Sequence, residues 1–344
     1  LFDGQNFPRL AGFGRKSVLY AEGAFSGAFF RARGVHVLSP PPPSERKRTA
    51  FRITLLEKFA PYEWGFLAQA VLLGVRDNLD TGLAKAFTAS GCAHVLALSG
   101  MHLGVIAGLL SLLLKKPLGL KGAGLAGALL VLGYVYLVGP QASLTRSLIM
   151  YLIGVLMIFK GYPRRGEAVL AGAFIIQLLL SPPSGRELSF VLSYIALLGL
   201  LSAGPWIYSL LRGTIPDAAA GPLSASAGAF LVTSPLSALW FGVLHPVGIL
   251  AALIISPLIT FFMVIALGWL FVDALVPVAA PPVAALLSAL YRTLGAVSDT
   301  AALFPSITVS GAPAVLAVSL VALALLYVGQ KKCARMRKRL EPFD

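Results

Sequence analysis

From residue 93 to residue 328 the chain is almost continuously apolar, interrupted only by short turns of glycine, proline and a few charges. At about 20 apolar residues per helical crossing of a bilayer, this stretch has room for roughly eight to ten transmembrane helices. Outer-membrane barrels alternate apolar and polar residues over segments of about ten. These runs do not alternate, which excludes a barrel. Composition points the same way: 57% of the 344 residues are hydrophobic, 12% are charged and the mean hydropathy is +0.83. A soluble domain carries about 25% charged residues, so this chain cannot cover a water-facing surface. The fold class expected is all-α, a polytopic helical integral membrane protein. Disorder, collagen-like repeats and a disulfide-stapled scaffold are excluded. Cys92 and Cys333 stand too far apart in the sequence to define a disulfide framework or a metal site.

The formal charge of +14 invites a nucleic-acid reading. Its distribution argues otherwise: Lys331, Lys332, Arg335, Arg337, Lys338 and Arg339 follow the last apolar run, where the positive-inside rule alone places them. Net charge here is mainly a topology signal.

Three regions are expected. Residues 1–60 are charged and Gly-rich, with prolines from Pro40 to Pro43 followed by Glu45-Arg46-Lys47-Arg48. They read as the remnant of a small polar extracytoplasmic domain plus a Pro-rich linker. The chain starts at Leu1 without a signal-peptide pattern, so the true N-terminus is expected to be missing. Residues 61–330 form the transmembrane domain and 331–344 a basic cytoplasmic tail. Within 61–91, Trp64, Phe66, Leu67, Ala70, Val71 and Gly74 recur at helical spacing. After the break from Arg76 to Asp80, a second short helix starts at Thr81 and holds Lys85 and Phe87. Both are expected to be amphipathic helices lying along the bilayer surface.

About nine spans follow, at 93–114, 122–138, 147–159, 168–180, 188–210, 223–244, 248–271, 283–303 and 312–328. Basic residues cluster at Lys115, Lys116 and Lys121, at Lys160, Arg164 and Arg165, and in the tail. Placing all three clusters in the cytoplasm requires an odd number of spans with the N-terminal region outside. The segment 283–303 is the weakest, since it carries Arg292 and Asp299.

The span 93–114 is the unusual one, because it contains His94, Ser99 and His102. Polar groups in a membrane cost free energy and are functional candidates by default. Gly100, Gly104 and Gly108 recur every four residues, which keeps them on one face suited to close helix packing. On that wheel His102 points nearly opposite the glycines, with Ser99 beside it. The plainer readings are that each histidine only hydrogen-bonds a neighbouring helix, that Arg146 snorkels to the headgroups, and that Ser189 and Ser193 bond within their own helix. Pattern alone ends at a polytopic membrane protein.

The run Phe87-Thr88-Ala89-Ser90-Gly91-Cys92-Ala93-His94-Val95-Leu96-Ala97-Leu98-Ser99-Gly100-Met101-His102-Leu103-Gly104 resembles the signature of the ComEC competence-protein family. Further blocks follow in the family's order. Ser143-Leu144-Thr145-Arg146-Ser147 is similar to its Arg-containing start of a span, Leu188-Ser189-Phe190-Val191-Leu192-Ser193-Tyr194 to its serine-rich block, and Thr233-Ser234-Pro235-Leu236 with Phe241-Gly242 to a late block. Phe29-Phe30-Arg31-Ala32-Arg33-Gly34-Val35 resembles the end of its N-terminal domain. The likeness departs where the family has a Ser-Pro pair and an Asn: Gly248, Ile249 and Ala252 stand there, although Pro257 is retained.

This resemblance implies a channel of the bacterial cytoplasmic (inner) membrane that takes up single-stranded DNA during natural transformation. It implies no enzymatic activity, cofactor or metal in this part of the protein. The metallo-β-lactamase-like nuclease of many members is not carried over, because no His-rich metal motif is present. His94, Ser99, Gly100, His102, Arg146, Ser189 and Ser193 are the expected DNA path, and Gly104 and Gly108 the expected packing positions. The partners implied are single-stranded DNA and membrane lipid, with a periplasmic DNA receptor, a cytosolic DNA motor, a separate nuclease and a homo-oligomer as further candidates.

Two other classes stay open on the sequence. A secondary transporter of a small solute would also show Gly/Pro-interrupted helices, as at Ser234-Pro235 and Ser256-Pro257, but no inverted repeat is visible. An intramembrane serine hydrolase would use Ser99 and Gly100. Ala97 stands where such enzymes have a glycine, and no third group to orient His102 is visible.

Overall fold

The structure, a computed structural model, describes residues 43–340 apart from Pro140 and Arg164, with the backbone alone for Gln330 and residues 332–340. Twelve α-helices follow in order: α1 (Pro43–Phe59), α2 (Gly65–Leu73), α3 (Thr81–Ala89), α4 (Gly100–Val138), α5 (Ala142–Lys160), α6 (Gly166–Leu180), α7 (Leu188–Ser202), α8 (Gly204–Leu211), α9 (Asp217–Phe241), α10 (Gly248–Leu275), α11 (Ala280–Ala302) and α12 (Ala312–Leu340). Among the described residues the one sheet is an antiparallel pair of two-residue strands, β1 (Val243–Leu244) and β2 (Ile307–Thr308). The protein is an all-α polytopic membrane protein.

Among the described residues six stretches are long and apolar enough to cross a bilayer: α4, α5, α9, α10, Pro277–Ala302 and Ala312–Gly329. The pair α7 and α8, bent by 42° at its break, makes a seventh if taken as one span. The weakest expected span, 283–303, lies inside one of these. The expected span 168–180 corresponds to α6, whose 15 residues reach about 22 Å at 1.5 Å per residue, short of a hydrocarbon core of about 30 Å.

The 39 residues of α4 would be about 58 Å long if straight. They fold back at Gly119, whose φ of 67° and ψ of 179° leave the helical region, a left-handed φ that glycine adopts without a Cβ clash. Pro117 just before it lacks a donor for the helical ladder. Leu103 and Ala107 of the first arm accordingly pack in one cluster with Val131, Val135 and Val138 of the second. The turn is where Lys115, Lys116 and Lys121 stand, and Lys121 lies over the Phe159 ring near the end of α5. Two of the basic clusters thus share one end of the bundle.

Two expectations for the first helices are corrected. Part of the segment expected to be a linker is helix α1, and its Arg52 ties the fold together by donating to the Val138 carbonyl at 2.7 Å and the Leu73 carbonyl at 3.0 Å. These are the last carbonyls of α4 and α2, where a cation satisfies orphan acceptors and complements the helix dipole. The rest of the segment 1–60 lies outside the described residues. Of the two helices expected on the bilayer surface, α3 is amphipathic, burying Leu83, Ala86 and Phe87 and exposing Thr81, Lys85 and Thr88. The other, α2, has eight of its nine residues buried. It is apolar on every side but for Gln69, the composition of a core helix rather than an interfacial one. Its neighbours are α10 and the aromatic cluster of Phe59, Tyr62, Trp64, Phe262 and Trp269.

Candidate functional site

The site begins where α4 begins. Ser99 is extended (φ −128°, ψ 173°) and caps the helix. His102, three residues on, reaches back so that its Nδ1 accepts from the Ser99 backbone N–H at 3.1 Å and lies 3.0 Å from Ser99 Oγ. A ring nitrogen that accepts a backbone N–H carries no proton, which assigns the imidazole proton to Nε2. His102 is fully buried and its Nε2 has no partner among the described residues. Leaving such a donor unpaired costs about 1–3 kcal/mol, so this group awaits an acceptor.

Arg146, in the second turn of α5, is 8% exposed. Its Nη1 donates to both the Oγ and the main-chain carbonyl of Ser193 on α7, and its Nη2 lies 3.5 Å from Ser147 Oγ. The guanidinium carbon is 5.7 Å from the centre of the Tyr194 ring, and Nε is unpartnered. The ion pairs among the described residues join Arg48 to Glu45, Lys58 to Asp273 and Arg292 to Glu63. None reaches Arg146, so among the described residues its buried guanidinium has no counter-ion.

Gly100 brings the start of α4 against Arg146. A Cβ there would stand 2.5 Å from Ser147 Oγ and 3.2 Å from Arg146 Nη2, so a larger residue would make these side chains shift, and glycine lets α4 start against the guanidinium as it stands. Ser143 Oγ donates to the Leu98 carbonyl at 2.7 Å and fixes the connector to the same helix. Of the expected residues, Ser99 and His102 meet at the start of α4, and Arg146, which holds Ser193, lies against Gly100.

The remaining expected residues sit elsewhere. His94 precedes α4, in the short 3-10 segment Ala93–Val95, because the helix starts at Gly100 and not at 93. Its side chain is solvent-accessible, yet desolvation by the surrounding protein holds its pKa below the ordinary value, a bond to the Gly91 backbone opposing the shift. His94 therefore stays neutral at pH 7. Ser189 is exposed and approaches Glu187 at 3.3 Å, one turn from Ser193 and away from Arg146. Gly104 and Gly108 do not hold a close helix contact: a Cβ at either would meet nothing within 4 Å. Sequence spacing put them on one face with Gly100, but among the described residues only Gly100 has a neighbouring helix against it.

Two residues were not singled out from the sequence. Gln177 on α6 and Tyr194 on α7 are buried, and Tyr194 Oη donates to Gln177 Oε1 at 2.8 Å. A polar amide in the apolar run 166–180 was itself the signal that marks Gln177. The substituted block at Gly248 also has a local reason. A Cβ on Gly248 would lie 3.1 Å from Gly91 Cα, so the connector leading to the site rests directly on the start of α10. Among the described residues no three His, Cys, Asp or Glu side chains gather to hold a metal ion. The Ser99–His102 contact has hydrogen-bond length, but it is a helix cap, and the far nitrogen of the ring has no orienting carboxylate among the described residues.

Fold and site together define a polytopic helical membrane protein that holds in its interior a guanidinium and an imidazole N–H without, respectively, a counter-ion and an acceptor among the described residues. A family model described as "Competence protein" matches residues 71–332. The chain belongs to that family, the competence proteins of the ComEC type. It is 27% identical over 150 residues to "ComE operon protein 3" of Bacillus subtilis (strain 168), covering 41% of this chain and 19% of that protein. It is 28% identical over 182 residues to an uncharacterized protein of Aquifex aeolicus (strain VF5), covering 53% of this chain and 41% of that one. The matches thus span about a fifth and two fifths of those relatives' own lengths. No solved structure matches the chain.

Proposed function

We propose that this chain forms the membrane path for single-stranded DNA in natural transformation, in the bacterial cytoplasmic membrane, with the basic ends of its helices in the cytoplasm and the N-terminal region outside. The observation that carries the reading is Arg146, buried with no carboxylate partner among the described residues and adjoining the start of α4, whose His102 Nε2–H has no partner among them either. One charge at the bilayer centre costs at least ~2.5–3.5 kcal/mol by insertion scales. A polyanion therefore needs fixed donors that meet each phosphate in turn. Conduction also requires that no contact be too strong. A single guanidinium, a neutral imidazole N–H, hydroxyls and glycine backbone meet both demands. The reading is non-enzymatic: the chain moves the strand, and cleavage falls to another protein or domain. A periplasmic receptor, a cytosolic motor and a second copy of the chain remain its candidate partners.

The test uses a naturally transformable host that depends on this chain. His102→Ala and Arg146→Ala, accumulating at wild-type levels, are each expected to lower DNase-protected DNA uptake and transformation frequency by tenfold or more, about the worth of one charge-assisted hydrogen bond. Unchanged uptake at normal protein levels would overturn the assignment of that residue.

A further inference from the structure

Gln177 and Tyr194 are 1% and 6% exposed and form a buried polar chain that leads to Arg146. Gln177 Nε2 donates to the carbonyl of Ala142, the first residue of α5, at 2.9 Å, and its Oε1 accepts from Tyr194 Oη at 2.8 Å. A carbonyl only accepts, so the amide has one orientation and the tyrosine hydroxyl one acceptor. Phe174 and Phe190 pack on the Tyr194 ring at centroid separations of 5.2 and 4.7 Å. The ring is thus held at its hydroxyl by Gln177, itself anchored to Ala142 one turn of α5 before Arg146, and at its flanks by two aromatics, and it faces the guanidinium at 5.7 Å.

Arg146 has two kinds of attachment. The bonds from Nη1 to Ser193 use donors that a phosphate oxygen accepts more strongly than a hydroxyl or an amide carbonyl does. The Tyr194 ring holds the cation through its face, for which a phosphate does not compete. We infer that Tyr194, locked by Gln177, is a platform that keeps Arg146 in place while its Nη donors move from Ser193 to the phosphates of a passing strand. Tyr194 and Gln177 are then positioning residues for the strand, an assignment that rests on the proposed DNA path. A purely structural network, by contrast, would only tie α6 to α5 and α7.

The measurement is binding of a fluorescent single-stranded oligonucleotide to the purified full chain in detergent over a series of salt concentrations. Removing one phosphate interaction lowers the slope of log K against log[salt] by about 0.7 for a single strand, whereas partial misfolding lowers only the amount of binding. Tyr194→Leu is expected to lose the same slope as Arg146→Ala, the double variant to bind no more weakly than Arg146→Ala alone, and Tyr194→Phe, which keeps the ring, to keep the slope. Gln177→Leu is expected to weaken binding about three- to fivefold, the size of one cation–π contact, and to have no effect when Arg146 is already alanine. An unchanged slope in Tyr194→Leu, or losses that multiply with Arg146→Ala, would overturn the inference. If Tyr194→Leu does not accumulate, the Gln177→Leu cycle decides alone by the same criterion. If Arg146→Ala itself leaves the slope unchanged, the DNA-path reading fails instead.

Discussion

Gly100, Gly104 and Gly108 look equivalent in the sequence and differ entirely in their surroundings. The first lies against Ser147 and Arg146, whereas the other two face open space. Gly100→Ala is therefore expected to displace the Ser147 hydroxyl and the Arg146 guanidinium and to destabilise the protein by about 1 kcal/mol, the low end of overpacking. Adding Ser147→Ala removes the oxygen that its Cβ would strike at 2.5 Å and recovers part of the loss. Gly104→Ala is expected to be neutral or to stabilise by about 0.5–1 kcal/mol through helix propensity. Thermal unfolding in detergent separates these outcomes, and a larger loss from Gly104→Ala than from Gly100→Ala would contradict the packing described. The sequence made the chemical types at this site legible, because His102 and Arg146 stand out in apolar surroundings. It did not reveal that Ser99 and His102 cap a helix, since that depends on where α4 starts. Nor did it reveal that Arg146 turns inward to Ser193 instead of outward to headgroups, since that depends on which helix lies beside it.

At the scale of elements, the crossing of α7 and α9 leaves no room for a side chain. A Cβ on Gly228 would stand 2.8 Å from both the Gly199 carbonyl oxygen and the Gly204 nitrogen. Backbone atoms cannot rotate away, so Gly228→Ala is expected to cost about 1–3 kcal/mol or more and to lower the thermal midpoint more than Gly221→Ala, whose Cβ would meet nothing within 4 Å. Equal midpoints for the two variants would contradict the crossing. This contact joins residues on different helices and leaves no periodic trace, whereas the hairpin of α4 was legible from Lys115, Lys116, Pro117, Gly119 and Lys121. The enclosure of α2 was missed for a related reason. Apolar residues at helical spacing suit an interfacial helix and a core helix equally, and Ile255, Ile259 and Phe262 of α10, which fill the core beside it, lie almost two hundred residues further along the chain.

For the molecule as a whole, the buried positions of His102 and Arg146 mean that on the proposed path a strand would reach Arg146 only after α5 and α7 part. Contacts that must open and close repeatedly should be weak and replaceable, and the bonds of Arg146 to a serine hydroxyl and a carbonyl have that character, unlike an ion pair. The class of protein was legible from composition and the ordered motif blocks, while the closure of the site depends on packing alone. The most direct test of the central claim is flux through the purified chain in liposomes, read as DNase-protected fluorescent oligonucleotide in the lumen. Single-stranded DNA is expected to enter wild-type vesicles at least tenfold faster than duplex DNA of the same length, with entry lost in Arg146→Ala. Flux of small solutes without any entry of single-stranded DNA would contradict the account and make the protein a transporter of another kind.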